Sequence, residues 1–207
     1  MGNGFREMVL FELRFRAKSV IPYIFFAVLF FLAMLVMSVD TGLVSNRDGR
    51  SFLNSPESLN VIAVALVALC ATMISALAGT AIYRDFESNT HELFFSTRLS
   101  KADYWYGRFV GSFLVTVIVF SAIPLGFLAG CGLRWEHKEI IGPYHLDTYL
   151  ALWGHYLLPD LFLISVLFFV GVALTRSLLA IYTQGIVLLA LWLGSVVLID
   201  RDRKSVV

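Results

Sequence analysis

The chain has 207 residues, 58% of them hydrophobic and 15% charged, with a mean hydropathy of +0.80, where an ordinary soluble domain carries about 25% charged residues. That balance excludes a single water-soluble globule. Sixteen basic against fifteen acidic side chains leave a net charge of +1, too little field to hold nucleic acid, which is excluded as a partner. Cys70 and Cys131 both sit inside apolar runs and read as packing residues, not as a disulfide framework.

In chain order, residues 1–18 are expected to form an amphipathic interfacial helix, with Met8, Phe11 and Phe15 on one face and Glu7, Arg14 and Lys18 on another. Apolar runs then predict membrane spans at about 19–39, 58–83, 109–133, 150–175 and 177–199. Each is long enough for a hydrocarbon core of about 30 Å, which takes about 20 helical residues. Lipid offers no partners to an open backbone, so the expected fold is all-α, a bundle of about five transmembrane helices in a transmembrane domain 19–199.

Sidedness follows from the basic residues. Arg6, Arg14, Arg16, Lys18, Arg84, Arg98, Lys101, Arg108 and Arg176 fall on the side of the N-terminus, against Arg47, Arg50, Arg134 and Lys138 in the opposite loops. The richer side is predicted to be cytoplasmic. Tyr104, Trp105 and Tyr106 precede the third span, and Trp135, Tyr144, Tyr149, Trp153 and Tyr156 gather about the second outer loop, as interfacial belts do. An odd number of spans leaves residues 200–207, with Arg201, Arg203 and Lys204, as an external tail. Basic residues on that side suggest that the tail opens a longer external segment leading to a further span.

Phosphate-cradling loops, dinucleotide fingerprints and zinc helices are missing from the sequence. His91-Glu92-Leu93-Phe94-Phe95 starts like a zinc motif, but Phe95 stands where the second ligand is needed. His137, His145, His155 and Asp147 are irregularly spaced in a polar outer region and read as solvated interfacial residues. No metal ligand and no catalytic residue is assigned, and the chain is not expected to be an enzyme.

The informative stretch is the cytoplasmic loop 84–108. Asn89 with Glu92, and Ser100 with Asp103, carry helix-start spacing, the first for a short helix within the loop and the second for the helix that becomes the third span. Leu93, Phe94 and Phe95 are too few to form a core, so they either dip into lipid or fill a groove on a partner. The order Arg84-Asp85, Glu87, Thr90, Glu92, an apolar triplet, Ser96-Thr97, then Gly107-Arg108 resembles ATP-binding-cassette exporter permeases of the type-2 class. Asn89 and Arg98 depart from it, where Gly and Pro are usual. Asp85 through Leu114, Leu158-Pro159-Asp160 and Leu174-Thr175-Arg176-Ser177 look most like bacterial permeases linked to a zinc aminopeptidase.

The resemblance implies a permease subunit in a multi-pass bacterial inner membrane. It would pair with a second permease subunit or half, as homo- or heterodimer, and with two cytosolic subunits that bind ATP and Mg, this chain holding no cofactor itself. Glu87, Thr90, Glu92, Leu93, Phe94 and Phe95 would be the coupling helix that meets the ATP-binding partner. The rival expectation is a membrane anchor for an extracytoplasmic domain that transports nothing. The pairs Ser75 with Gly79, Gly107 with Gly111, and Gly126 with Gly130 place small side chains one turn apart, as close helix packing requires. Asp160, the one acid embedded near a span, is a candidate for a polar pathway.

Overall fold

The structure, a computed structural model, describes residues 3–38, 52–88, 100–133 and 141–205. Among them every regular element is helical: α1 (Asn3–Ala17), α2 (Ile21–Ser38), α3 (Pro56–Leu69), α4 (Ala71–Glu87), α5 (Lys101–Phe120), α6 (Ala122–Leu133), α7 (Leu146–Ala151), a π-helical turn (Leu152–Leu157), α8 (Leu158–Thr175) and α9 (Leu178–Ser205). Four helical runs are long and apolar enough to cross a membrane: α2, α5 with α6, α7 through α8, and Leu178–Ile199 of α9. The pair α3 and α4 adds a fifth if it is one span, bent by 53° at its break. A re-entrant hairpin must reverse direction, whereas a bend of this size leaves the two halves roughly 36 Å of reach along the first axis, enough for the core. The chain is thus an all-α membrane bundle.

Local chemistry sets the ends. Ser55 opens α3, its Oγ accepting from the Ser58 N–H at 3.3 Å, with Pro56 at the first position. Ser100 opens α5 in the same way, accepting from the Asp103 N–H at 3.0 Å, at the spacing that marked it in the sequence. The break at Cys70 carries neither Gly nor Pro, so hydropathy runs through it unannounced. Beside it, a Cβ added to Gly185 of α9 would lie 2.6 Å from the Thr72 Cα, a close approach that seats the first turn of α4 directly on α9.

Helix α1 runs alongside the first turns of α5. A Cβ on Gly107 would meet the Met8 Cβ at 2.7 Å, and one on Gly111 would meet the Glu12 Cβ at 2.7 Å. The four-residue steps 8, 12 and 107, 111 therefore match, one ridge in the other's groove. The inward stripe is Met8, Glu12 and Arg16, all buried, while Phe11 and Phe15 of the expected apolar face stay half-exposed. This differs from the sequence expectation because a charged pair one turn apart supplies its own neutralisation. The same parallel register continues into the membrane, where Gly126 and Gly130 of α6 press on the Phe30 and Met34 carbonyls of α2.

The run α5–α6 spans 33 residues, about 50 Å at 1.5 Å per residue, so its first turns stand beyond a core of about 30 Å. Helix α1 covers those turns. Between α5 and α8, Phe109, Phe113, Phe162, Phe169 and Trp105 form a chain of edge-to-face rings with centroids 5.2–6.2 Å apart, closing the core near that end.

Candidate functional site

Where α1, the end of α4 and the start of α5 converge, five charged side chains and one phenol interlock. Arg108, wholly buried, sits between two carboxylates: its Nη1 lies 2.5 Å from Glu12 Oε2 and its Nη2 2.6 and 2.8 Å from the two oxygens of Asp85. The Tyr104 hydroxyl donates to Asp85 at 2.8 Å. Arg16 Nε donates to Glu12 at 2.8 Å, and its Nη2 reaches across to the Leu77 carbonyl at 2.6 Å and to Thr80 Oγ1 at 3.1 Å on α4. Arg84 donates to Glu12 at 3.0 Å and stands 3.8 Å from Asp85. The guanidiniums of Arg84 and Arg108 also lie over the Phe15 and Phe11 rings, at 3.8 and 4.9 Å.

The electrostatics balance closely. Burial pushes the Glu12 carboxyl up, but the Arg16, Arg84 and Arg108 guanidiniums together outweigh it and hold the group below its ordinary value. Burial likewise lowers Arg16, and Glu12 pulls it back only in part. Among the described residues three arginines meet two acids in this cluster.

The consequence is topological. Asp85 lies on the stem entering the loop 84–108, and Tyr104 and Arg108 lie on the stem leaving it, so one ion-pair clasp pins both stems together and ties α1 to them. The neighbouring turn joins in: Arg176, left-handed at φ 50°, ends α8 and stacks its guanidinium 4.5 Å from the Phe86 ring centroid.

A family profile described as ABC-2 family transporter protein matches residues 40–200. The chain belongs to the ABC-2 transporter family. Comparisons with curated proteins and with solved structures return no match. As a member of this family the chain is a permease component of an ABC transporter and a multi-pass membrane protein, and such permeases generally work with ATP-binding partners and dimerise. The matched segment includes Arg84, Asp85, Tyr104 and Arg108; Glu12 and Arg16 precede it.

For this ABC-2 permease the residues singled out in the sequence fall as follows. Glu87 is exposed in the last turn of α4. Thr90, Glu92, Leu93, Phe94 and Phe95, with the helix start at Asn89, lie outside the described residues. Asp160 is partly exposed in the first turn of α8, within the continuous helical run that begins at Leu146, and lies roughly 24 Å along it from the turn at Arg176. The Ser75 hydroxyl donates to the Ile181 carbonyl at 2.5 Å, and a Cβ on Gly79 would meet Val172 and Ile181, so this pair seats α4 on both α8 and α9. Gly107 with Gly111 faces α1, and Gly126 with Gly130 faces α2. The described residues hold no group of three potential metal ligands.

Sequence reasoning missed Glu12 and Arg16 as site residues. The available signal was spacing: Met8, Glu12 and Arg16 repeat at the step of Gly107 and Gly111, marking which face of the first helix could approach closely.

Proposed function

We propose that this chain is the permease subunit of an ATP-driven exporter in the cell membrane. In this reading the clasp of Glu12, Asp85 and Arg108 is the rigid base through which the cytoplasmic loop moves the spans. The observation that carries it is the meeting of both loop stems at one buried cluster. A loop anchored at a single stem could flex without consequence. With both stems joined, a push on it is delivered to α4 and α5 as a unit, and to α1 through Glu12.

The loop residues Glu92, Leu93 and Phe94 contact an ATP-binding subunit, the apolar pair filling its groove and Glu92 holding the helix start. ATP and Mg belong to that partner, and no residue of this chain is catalytic. Two copies, or two related halves, enclose the pathway, with Asp160 as its candidate polar residue. Kinship to permeases joined to a zinc aminopeptidase rests on sequence likeness alone.

The test uses the permease reconstituted with its ATP-binding subunits. Leu93→Ala with Phe94→Ala should weaken association, since removing anchors from such a contact costs about 2 kcal/mol or more. Arg108→Met should leave association intact yet uncouple ATP hydrolysis from transport. Unchanged binding in the first and unchanged coupling in the second would refute the reading.

A further inference from the structure

Beside the clasp a groove of about 490 Å³ opens between α1, α2 and α5, within the range of small-ligand sites. Its walls are apolar: Leu13 and Ala17 of α1, Pro22 and Phe26 of α2, and Val115, Ile118 and Val119 of α5. Two polar groups interrupt them, Arg16 and Tyr23. Arg16 is 7% exposed, and its Nε and Nη2 are committed to Glu12, Leu77 and Thr80, which leaves Nη1 without a hydrogen-bond partner among the described residues. The Tyr23 hydroxyl donates to the Ala17 carbonyl at 2.9 Å, so its oxygen can still accept.

Depth decides what can enter. Val115 and Val119 lie four and five turns into α5, past the part that stands clear of the core, and Ile118 and Tyr23 are each 60% exposed on that side. A groove there opens on the boundary between headgroups and acyl chains. An occupant must be apolar along most of its length and anionic at the end beside Arg16, whose guanidinium is the charged group lining the groove.

We propose that this groove binds one anionic phospholipid, an acyl chain lying between Phe26 and Ile118 and the phosphate meeting Arg16. The lipid fills the gap between the helix carrying Glu12 and the first span, so it holds α1 against α5. This inference rests on the membrane reading and the groove, and stands whether or not the loop couples to an ATPase.

The experiment incubates the purified chain in detergent with phosphatidylglycerol or phosphatidylcholine of the same chains, and counts retained lipid by native mass spectrometry. Phosphatidylglycerol should be retained about five- to tenfold better. Ile118→Trp fills an exposed wall and should abolish the preference. Arg16→Gln should abolish it too, with folding checked by circular dichroism. Arg14→Gln and Lys18→Gln, on exposed positions outside this groove, should leave it unchanged. Glycerol phosphate without chains should not compete. Equal retention of the two lipids, a preference surviving Ile118→Trp, or competition by glycerol phosphate would each overturn the proposal.

Discussion

The two ends of the bundle are fastened by different chemistry. At the end where α1 packs on α5, Glu12, Asp85 and Arg108, with Arg16 and Arg84 around them, join three helices by charge. At the opposite end a single neutral side chain does comparable work: Asn54 Nδ2 donates to the Gly142 and Pro143 carbonyls at 2.9 and 3.2 Å, and its Oδ1 accepts from the Gly142 N–H at 2.9 Å, across 88 residues of chain. The Phe52 ring covers Gly142, where a Cβ would come within 2.7 Å. An amide matched to a backbone has one arrangement and no dependence on protonation. Guanidiniums shared between two acids can exchange partners, as Arg84 already divides itself between Glu12 and Asp85 at 3.0 and 3.8 Å. The difference separates an end held by neutral hydrogen bonds from one held by charge.

The largest expected effect comes from breaking the charged end. Removing one partner of a buried ion pair strands the others, at a cost of about 3–5 kcal/mol. Glu12→Gln, which strips the acid shared by Arg16, Arg84 and Arg108, should therefore lower thermal stability in detergent more than any other single change at either end. Because the Glu12 carboxyl is held below its ordinary value, it contributes stability at neutral pH that is lost as pH falls through the folded-state value, beneath the usual carboxylate range. Melting curves from pH 7 downward should show this loss in the native chain and not in Glu12→Gln. A matching pH profile in both would remove Glu12 from the account.

Apolar runs between Ser19 and Ile199 made the bundle legible in the sequence, since lipid leaves helices as the only spans, and the Ser100 cap was readable from its spacing with Asp103. The clasp was half legible. Arg84-Asp85 and Gly107-Arg108 stood out as motif fragments, but their pairing is a contact across 23 residues that no local pattern encodes. Glu12 and Arg16 were hidden for another reason: amphipathicity sorts residues by polarity, and here the polar ridge faces inward. The bend at Cys70 escaped because closeness to Gly185, a tertiary fact, accompanies it.

A second route to the same comparison is steric. Gly111→Ala places a Cβ 2.7 Å from the Glu12 Cβ and 3.4 Å from the Val9 carbonyl, neither of them the free end of a side chain. Helix α1 must shift, carrying Glu12 from Arg108, at about 1–3 kcal/mol. Combined with Glu12→Gln the two losses should fall short of their sum, since both act on one contact. Full additivity would mean that the glycine serves packing alone.

At the neutral end Asn54→Ala removes three hydrogen bonds and leaves a buried N–H at Gly142, for about 1–3 kcal/mol. Its penalty should be flat with pH and with salt, in contrast to the clasp. A penalty that grew toward acid would show that the two ends are not independent, and would undo the distinction between them.

The smallest effect is expected at Arg176, where two contributions oppose each other. Its φ of 50° and ψ of 32° place a side-chain-bearing residue in the left-handed region, at about 1 kcal/mol, a strain that glycine escapes. Its guanidinium over Phe86, at 4.5 Å, returns about 0.5–1 kcal/mol. Arg176→Gly loses the second and relieves the first, so its melting temperature should stay close to that of the native chain. Arg176→Ala keeps the strain and loses the stacking, so it should be the less stable of the two. If Ala and Gly melt together, the left-handed turn carries no strain worth relieving. If Gly instead falls well below the native chain, the stacking of Arg176 on Phe86 belongs with the charged fastening of Glu12, Asp85 and Arg108, not beside it.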